Sequence, residues 1–93
     1  MKVEHTENEG AGSFTAILEG REAGIMTYTE AGENRISIDH TEVVAAYKGK
    51  GVGKELLETA AEYARNNNYK IIPLCSYAKT LMERSSSYDD VMH

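Results

Sequence analysis

Tyr47-Lys48-Gly49-Lys50-Gly51-Val52-Gly53-Lys54 stands where an extended apolar segment ends and the only long helical pattern of the chain begins. Glycine at alternate positions lets the backbone approach a ligand in conformations that a Cβ would forbid. A helix opening directly behind such a turn offers unpaired N–H groups and the positive end of its dipole, and both favour negative charge. Lys48, Lys50 and Lys54 add point charges at the same place. The stretch therefore reads as a phosphate cradle set between a strand and a helix.

On its C-terminal side, Val52, Leu56, Leu57, Ala60, Ala61 and Ala64 recur at helical spacing, with Lys54, Glu55, Glu58, Glu62 and Arg65 on the other side. This predicts a helix ending at Asn66-Asn67-Asn68, residues that tolerate the left-handed cap conformation. Residues 69–75 follow as a strand, in which Pro73 cannot donate to a ladder and should mark where pairing breaks. Strand, helix and strand in this order make a crossover whose strands run parallel. A last helix is expected over residues 77–84, with Ser76 as its cap, then an interruption at Ser85-Ser86-Ser87 and a closing turn or helix over 88–93.

On the N-terminal side, Ile36 and Ile38 alternate with Arg35, Ser37 and Asp39, and the extended pattern runs through His40-Thr41-Glu42 to Ala46. Residues 13–19 and 23–29 alternate in the same way and are separated by a turn at Gly20-Arg21-Glu22, the signature of a hairpin. Residues 2–7 form a weaker first edge strand. The whole reads as α/β (α+β): a mostly antiparallel meander, then a strand-helix-strand crossover and a C-terminal helix.

A chain of 93 residues is one domain, and 41% hydrophobic content with a single proline suits a compact fold. No apolar run is long enough for a membrane span and the polar start is not a signal peptide, so a cytoplasmic protein with no membrane partner is expected. A net charge of −5 argues against nucleic-acid binding, which needs a broad basic footprint. A small basic cluster on an acidic background suits a compact polyanion, and the acidic remainder tolerates a cationic co-substrate. One cysteine, Cys75, excludes a disulfide framework, and no metal-ligand spacing is present. The expected state is a monomer or weak homodimer.

Two phosphate motifs fail on the turn. The nucleoside-triphosphate loop would need glycine at Lys48 and a hydroxyl at Glu55, and the dinucleotide fingerprint lacks its third glycine. Lys48-Gly49-Lys50-Gly51-Val52-Gly53 instead resembles the pyrophosphate loop of the acyl-CoA N-acetyltransferase (GNAT) superfamily, Gln/Arg-x-x-Gly-x-Gly/Ala between a strand and a helix. Lys48 replaces the usual Gln or Arg and keeps a cation there. Pro73-Leu74-Cys75-Ser76-Tyr77, His40-Thr41-Glu42-Val43 and Tyr88-Asp89-Asp90-Val91 are similar to a minimal GNAT-like family with a Pro-x-Cys-x-Tyr/Trp element and without the usual N-terminal helices and C-terminal strand pair. The run Arg84-Ser85-Ser86-Ser87 departs from that family's tail.

The resemblance implies acetyl-CoA (coenzyme A) binding and acetyl transfer to a primary amine, on a small molecule or a peptide. The pyrophosphate would meet residues Lys48, Gly49, Lys50, Gly51, Val52, Gly53 and Lys54, and the pantetheine amides would pair with the backbone of Val43, Val44 and Ala45. A backbone N–H there could stabilise the oxyanion of thioester attack. Cys75 shares strand parity with Ile71 and is either a small buried hydrophobe or a thiol that lines the thioester pocket or takes the acetyl group. His40 and Glu42 share parity with Ile36 and Ile38 unless a bulge intervenes; His40 is a candidate base for the incoming ammonium or a satisfied rim histidine, and Glu42 reads better as a solvated strand-end carboxylate. Tyr77 is a cofactor-contact or packing residue, and Lys79 and Arg84 are solvated helix charges within reach of phosphates. The competing reading is an acyl-CoA-binding or sensing module with little transferase activity.

Overall fold

The computed structural model describes residues 1–93. Its four antiparallel strands, β1 (Lys2–Asn8), β2 (Ala11–Leu18), β3 (Arg21–Glu30) and β4 (Arg35–Val43), are joined in parallel by β5 (Lys70–Pro73), giving the order β1-β2-β3-β4-β5. Helix α1 (Val52–Asn66) makes the crossover, and α2 (Ser76–Arg84) and a 3-10 segment (Ser86–Val91) complete the chain. This is the mixed α/β architecture expected from the patterning.

Alternation along the strands directs Phe14, Met26, Tyr28, Ile36, Ile38 and Ile71 to one face, where they meet Val52, Leu56, Leu57, Ala60, Ala61 and Ala64 of α1 in a single buried cluster. Each fully buried Leu or Ile there contributes roughly 1.5–3 kcal/mol. At the far end of α1 the cluster closes on aromatic side chains. His5 stacks on Phe14 with ring centroids 4.4 Å apart, and its Nε2 lies 2.6 Å from Tyr28 Oη. Asn68 takes the left-handed conformation at φ 59°, as the asparagine run predicts.

Several boundaries differ from expectation for identifiable reasons. Glu19 and Gly20 make the β2–β3 turn by themselves, at φ 54° and 75°, a pair that matches hairpin twist, so β3 begins at Arg21. The extended segment does not continue to residue 46. Val44 caps a 3-10 turn, Ala45–Tyr47, in which Tyr47 N–H donates to Val44 O at 2.8 Å. Strand β5 is shorter than residues 69–75: pairing ends at Ile38↔Pro73, and the N–H groups of Leu74 and Cys75 both donate to Ile38 O at 3.0 Å. Cys75, and not Ser76, is the cap residue of α2.

A bulge also intervenes in β4. Thr27 pairs with His40 and Tyr28 with Ile38, which leaves Asp39 as an extra residue and reverses the parity of everything after it. Thr41 and Val43 therefore join the α1 face, whereas His40 and Glu42 point to the opposite one. The parity expected for His40 and Glu42, with Ile36 and Ile38, is corrected by this single residue.

The C-terminal segment is tied back to α1 and β5. Arg65 donates from Nε to Asp90 Oδ2 at 2.7 Å and from Nη2 to Ser87 O at 2.6 Å, and Met92 forms a parallel bridge with Ile71. No helix is long and apolar enough to cross a membrane, and no group of His, Cys, Asp and Glu side chains could hold a metal ion.

Candidate functional site

The three glycines of the turn are required for two different reasons. Gly49 and Gly51 hold φ 83° and 78°, and a Cβ on either would meet nothing within 4 Å, so it is the left-handed backbone that demands glycine. Gly53 lies inside α1, where a Cβ would fall 1.9 Å from Tyr77 Oη; here the cause is the tyrosine ring lying across the helix start. The N–H groups of Gly49, Gly51, Val52, Gly53 and Lys54 make no hydrogen bond within the chain, and the first helical bond runs from Glu55 N to Gly51 O at 3.0 Å. Lys48, Lys50 and Lys54 make no ion pair. Orphaned donors and unpaired cations thus converge on one surface, a donor set suited to a pyrophosphate.

That surface is one wall of a cleft of about 690 Å³, lined by Thr41, Glu42, Val43, Tyr47, Lys48, Gly49, Gly51, Val52, Gly53, Lys54 and Tyr77. Tyr77 is 41% exposed, so its ring forms the rim of the cleft as well as the cover over Gly53. Lys50 belongs to the turn but not to the cleft wall. Val44 is 43% exposed, its N–H donates to Ala23 O at 2.8 Å and its C=O accepts from Tyr47 N–H at 2.8 Å, so its backbone is not free for the pairing expected of it. Thr41 and Tyr47 line the cleft although neither was assigned a role from sequence. Tyr47 adjoins the turn and could have been suspected from that alone; Thr41 carried no signal until the bulge was known.

The free backbone of β4 lies one residue earlier than expected. Since Val44 donates to Ala23 on β3, ladder alternation turns the N–H and C=O of Glu42 toward β3 and those of Thr41 and Val43 away from it. On that other side β5 has already ended at Pro73, so Val43 faces the cleft without a strand partner. Thr41 faces Cys75, whose thiol donates weakly to Thr41 Oγ1 at 3.6 Å.

Cys75 is half-buried at the start of α2. Burial pushes its thiol up, but the backbone N–H groups of Ala78 and Tyr77 and the hydroxyl and backbone of Thr41 favour the thiolate and together hold it below the ordinary thiol value. Cys75 touches the cleft-lining Thr41 without itself lining the cleft. His40 stands exposed on the opposite face of β4, away from Cys75, and Glu42 points to that face while still lining the cleft.

Residues 13–91 match the GCN5-related N-acetyl-transferase family. The chain belongs to that family. Among known relatives, human Protein NATD1 is 27% identical over 86 residues, spanning 91% of this chain and 74% of the relative. The solution structure of a GCN5-like protein from Staphylococcus aureus superposes with a TM-score of 0.76 at 41% identity, covering 97% of this chain and 87% of that one. An acetyltransferase structure from Bacillus anthracis, solved in complex with acetyl coenzyme A, shares the fold at 22% identity and a TM-score of 0.66, covering 81% of this chain and 46% of that one. Membership of the GCN5-related family makes the chain an N-acetyltransferase, and the cleft lies where β4, α1 and α2 meet.

Proposed function

We propose that the protein transfers the acetyl group of acetyl-CoA to a primary amine, with the cofactor held in the cleft between β4 and α1. The observation that carries this is the set of orphaned N–H groups of Gly49, Gly51, Val52, Gly53 and Lys54 beside the unpaired Lys48. These would hold the pyrophosphate, with the start of α1 adding its dipole. The N–H and C=O of Val43 would pair with the pantetheine arm, directing its sulfur end toward Thr41 and Cys75. Acetyl-CoA, when bound, supplies the acetyl thioester and its thiolate leaving group.

The chain's own groups then divide the remaining work. The backbone N–H of Thr41 stabilises negative charge on the thioester oxygen as the amine nitrogen attacks. His40, on the opposite face of β4, takes the proton that the incoming ammonium must lose. Tyr77 serves cofactor binding, because its hydroxyl rests on Gly53 at the phosphate end of the cleft. Cys75 either lines the sulfur end or accepts the acetyl group as a thioester and hands it to the amine.

Calorimetry with acetyl-CoA tests the shared premise: binding at micromolar to low millimolar concentration is expected, and no binding at millimolar cofactor refutes the reading. Release of CoA that requires an added amine, measured across polyamines and lysine peptides, separates a transferase from a binding module. Intact-mass measurement distinguishes the routes for Cys75, since an acetyl adduct lost in Cys75→Ala supports covalent transfer and a fully active Cys75→Ala leaves the thiol as lining.

A further inference from the structure

Asp39 is the one residue within the β3–β4 ladder, between Ile36 and Val43, that has no partner on β3, and its carboxylate is gripped on both oxygens. Thr29 Oγ1 donates to Oδ2 at 2.5 Å and Ser37 Oγ donates to Oδ1 at 2.9 Å. Thr29 and Ser37 are themselves paired across β3 and β4, so the two hydroxyls stand side by side on the face away from α1, with Asp39 over both. Ser37 is the only buried polar side chain of the protein, at 6% exposure. A bulge leaves a residue unpaired and disrupts its ladder locally, so its persistence needs a compensating interaction. The carboxylate supplies one through two charge-assisted hydrogen bonds.

The consequences of straightening β4 can be read from the register. From Tyr28↔Ile38, an unbulged ladder would set Asp39 opposite Thr27, His40 opposite Met26, and Thr41 opposite Ile25. Thr41 would leave Cys75 for the opposite face. The N–H and C=O groups of Thr41 and Val43 would turn into the β3 ladder, and those of His40 and Glu42 would face the cleft in their place.

We propose that Asp39 is a positioning residue for the cleft, its two-hydroxyl clamp locking the bulge that turns Thr41 and Val43 toward the ligand. The functional half of this inference rests on the coenzyme A reading of the cleft; the conformational half stands without it. Asp39→Ala removes both acceptors. Asp39→Asn keeps one acceptor oxygen and offers an amide that the second hydroxyl can accept from, so it should rescue.

The test combines backbone amide spectra of the full chain with coenzyme A titration by calorimetry. In Asp39→Ala the amide signals of Thr41 and Val43 should move while those of Gly51 and Gly53 stay. Its coenzyme A affinity should fall roughly tenfold, about the loss of one net hydrogen bond, whereas Asp39→Asn should remain within about twofold. Unchanged Thr41 and Val43 signals with wild-type affinity in Asp39→Ala overturn the proposal, as does an Asp39→Asn as impaired as the alanine. Should Asp39→Ala not fold, Thr29→Val, at an exposed position, removes one arm of the clamp and must move the same two amides; their failure to move refutes the clamp. If the wild-type protein binds no coenzyme A, the functional reading falls, and the amide signals still decide the clamp.

Discussion

Gly53→Ala should change stability in opposite directions according to the residue at position 77. A Cβ at 53 would lie 1.9 Å from Tyr77 Oη and 2.4 Å from its Cζ, distances that force one of the two to move. The obstacle is the far end of a side chain that is 41% exposed, so the ring swings out and α1 stays folded. Displacing its covered part, on the order of 100 Å², costs roughly 2–3 kcal/mol at about 25 cal/mol per Å². Alanine in place of glycine in a helix offsets up to about 1 kcal/mol of this. Gly53→Ala alone should therefore destabilise by about 1–2 kcal/mol, whereas in a Tyr77→Ala background it should stabilise by about 0.5–1 kcal/mol. A double-mutant cycle by urea unfolding measures the coupling directly. A coupling energy below about 0.5 kcal/mol would show that the ring does not lie across residue 53 and would remove the stated reason for a glycine there.

Other expectations follow from single features of the structure. Gly51→Ala places a Cβ in open space at φ 78° and should lower unfolding free energy by about 1–2 kcal/mol through the backbone alone; a variant as stable as wild type contradicts the left-handed cap. The Cys75 thiol is held below its ordinary value, so ionised Cys75 favours the native state: that contribution is full above the unfolded thiol pKa and is lost as pH falls through the folded one. The stability difference between wild type and Cys75→Ala should accordingly widen as pH rises through the thiol range, and a pH-independent difference argues against the thiolate-favouring contacts. Arg65 holds the Asp90 carboxyl below its usual range. The clasp on the C-terminal segment should hence persist at neutral pH and open as pH falls through that lowered value, with hydrogen-exchange protection at Ser86–Val91, relative to the intrinsic rate, lost in acid and already reduced at neutral pH in Arg65→Met.

How much could be read in advance depends on whether a feature is local. Helix α1 follows from residues at a fixed spacing, and the turn before it follows from glycines and lysines whose behaviour depends little on distant parts of the chain. Eight of the residues expected in the site, Val43, Lys48, Gly49, Gly51, Val52, Gly53, Lys54 and Tyr77, line the cleft. The misplacements lie at junctions. Val44 and Ala45 look extended by composition, yet the backbone turns there to bring Tyr47 beside the glycine turn. His40 and Glu42 have the alternation of a regular strand, and an extra residue at Asp39 leaves no mark in that alternation.

The amino-acid order alone decided that a phosphate-compatible turn would sit between a strand and a helix, and that an antiparallel meander would precede a parallel crossover. Those are consequences of periodicity, glycine conformation and charge, properties carried by neighbours in the chain. Which face each β4 side chain takes, which of its N–H groups stay unpaired, and why Gly53 lacks a side chain were decided in three dimensions. Register belongs to a pair of strands and not to either one, and the contact between Tyr77 and Gly53 joins residues that meet only when α2 folds back onto the start of α1.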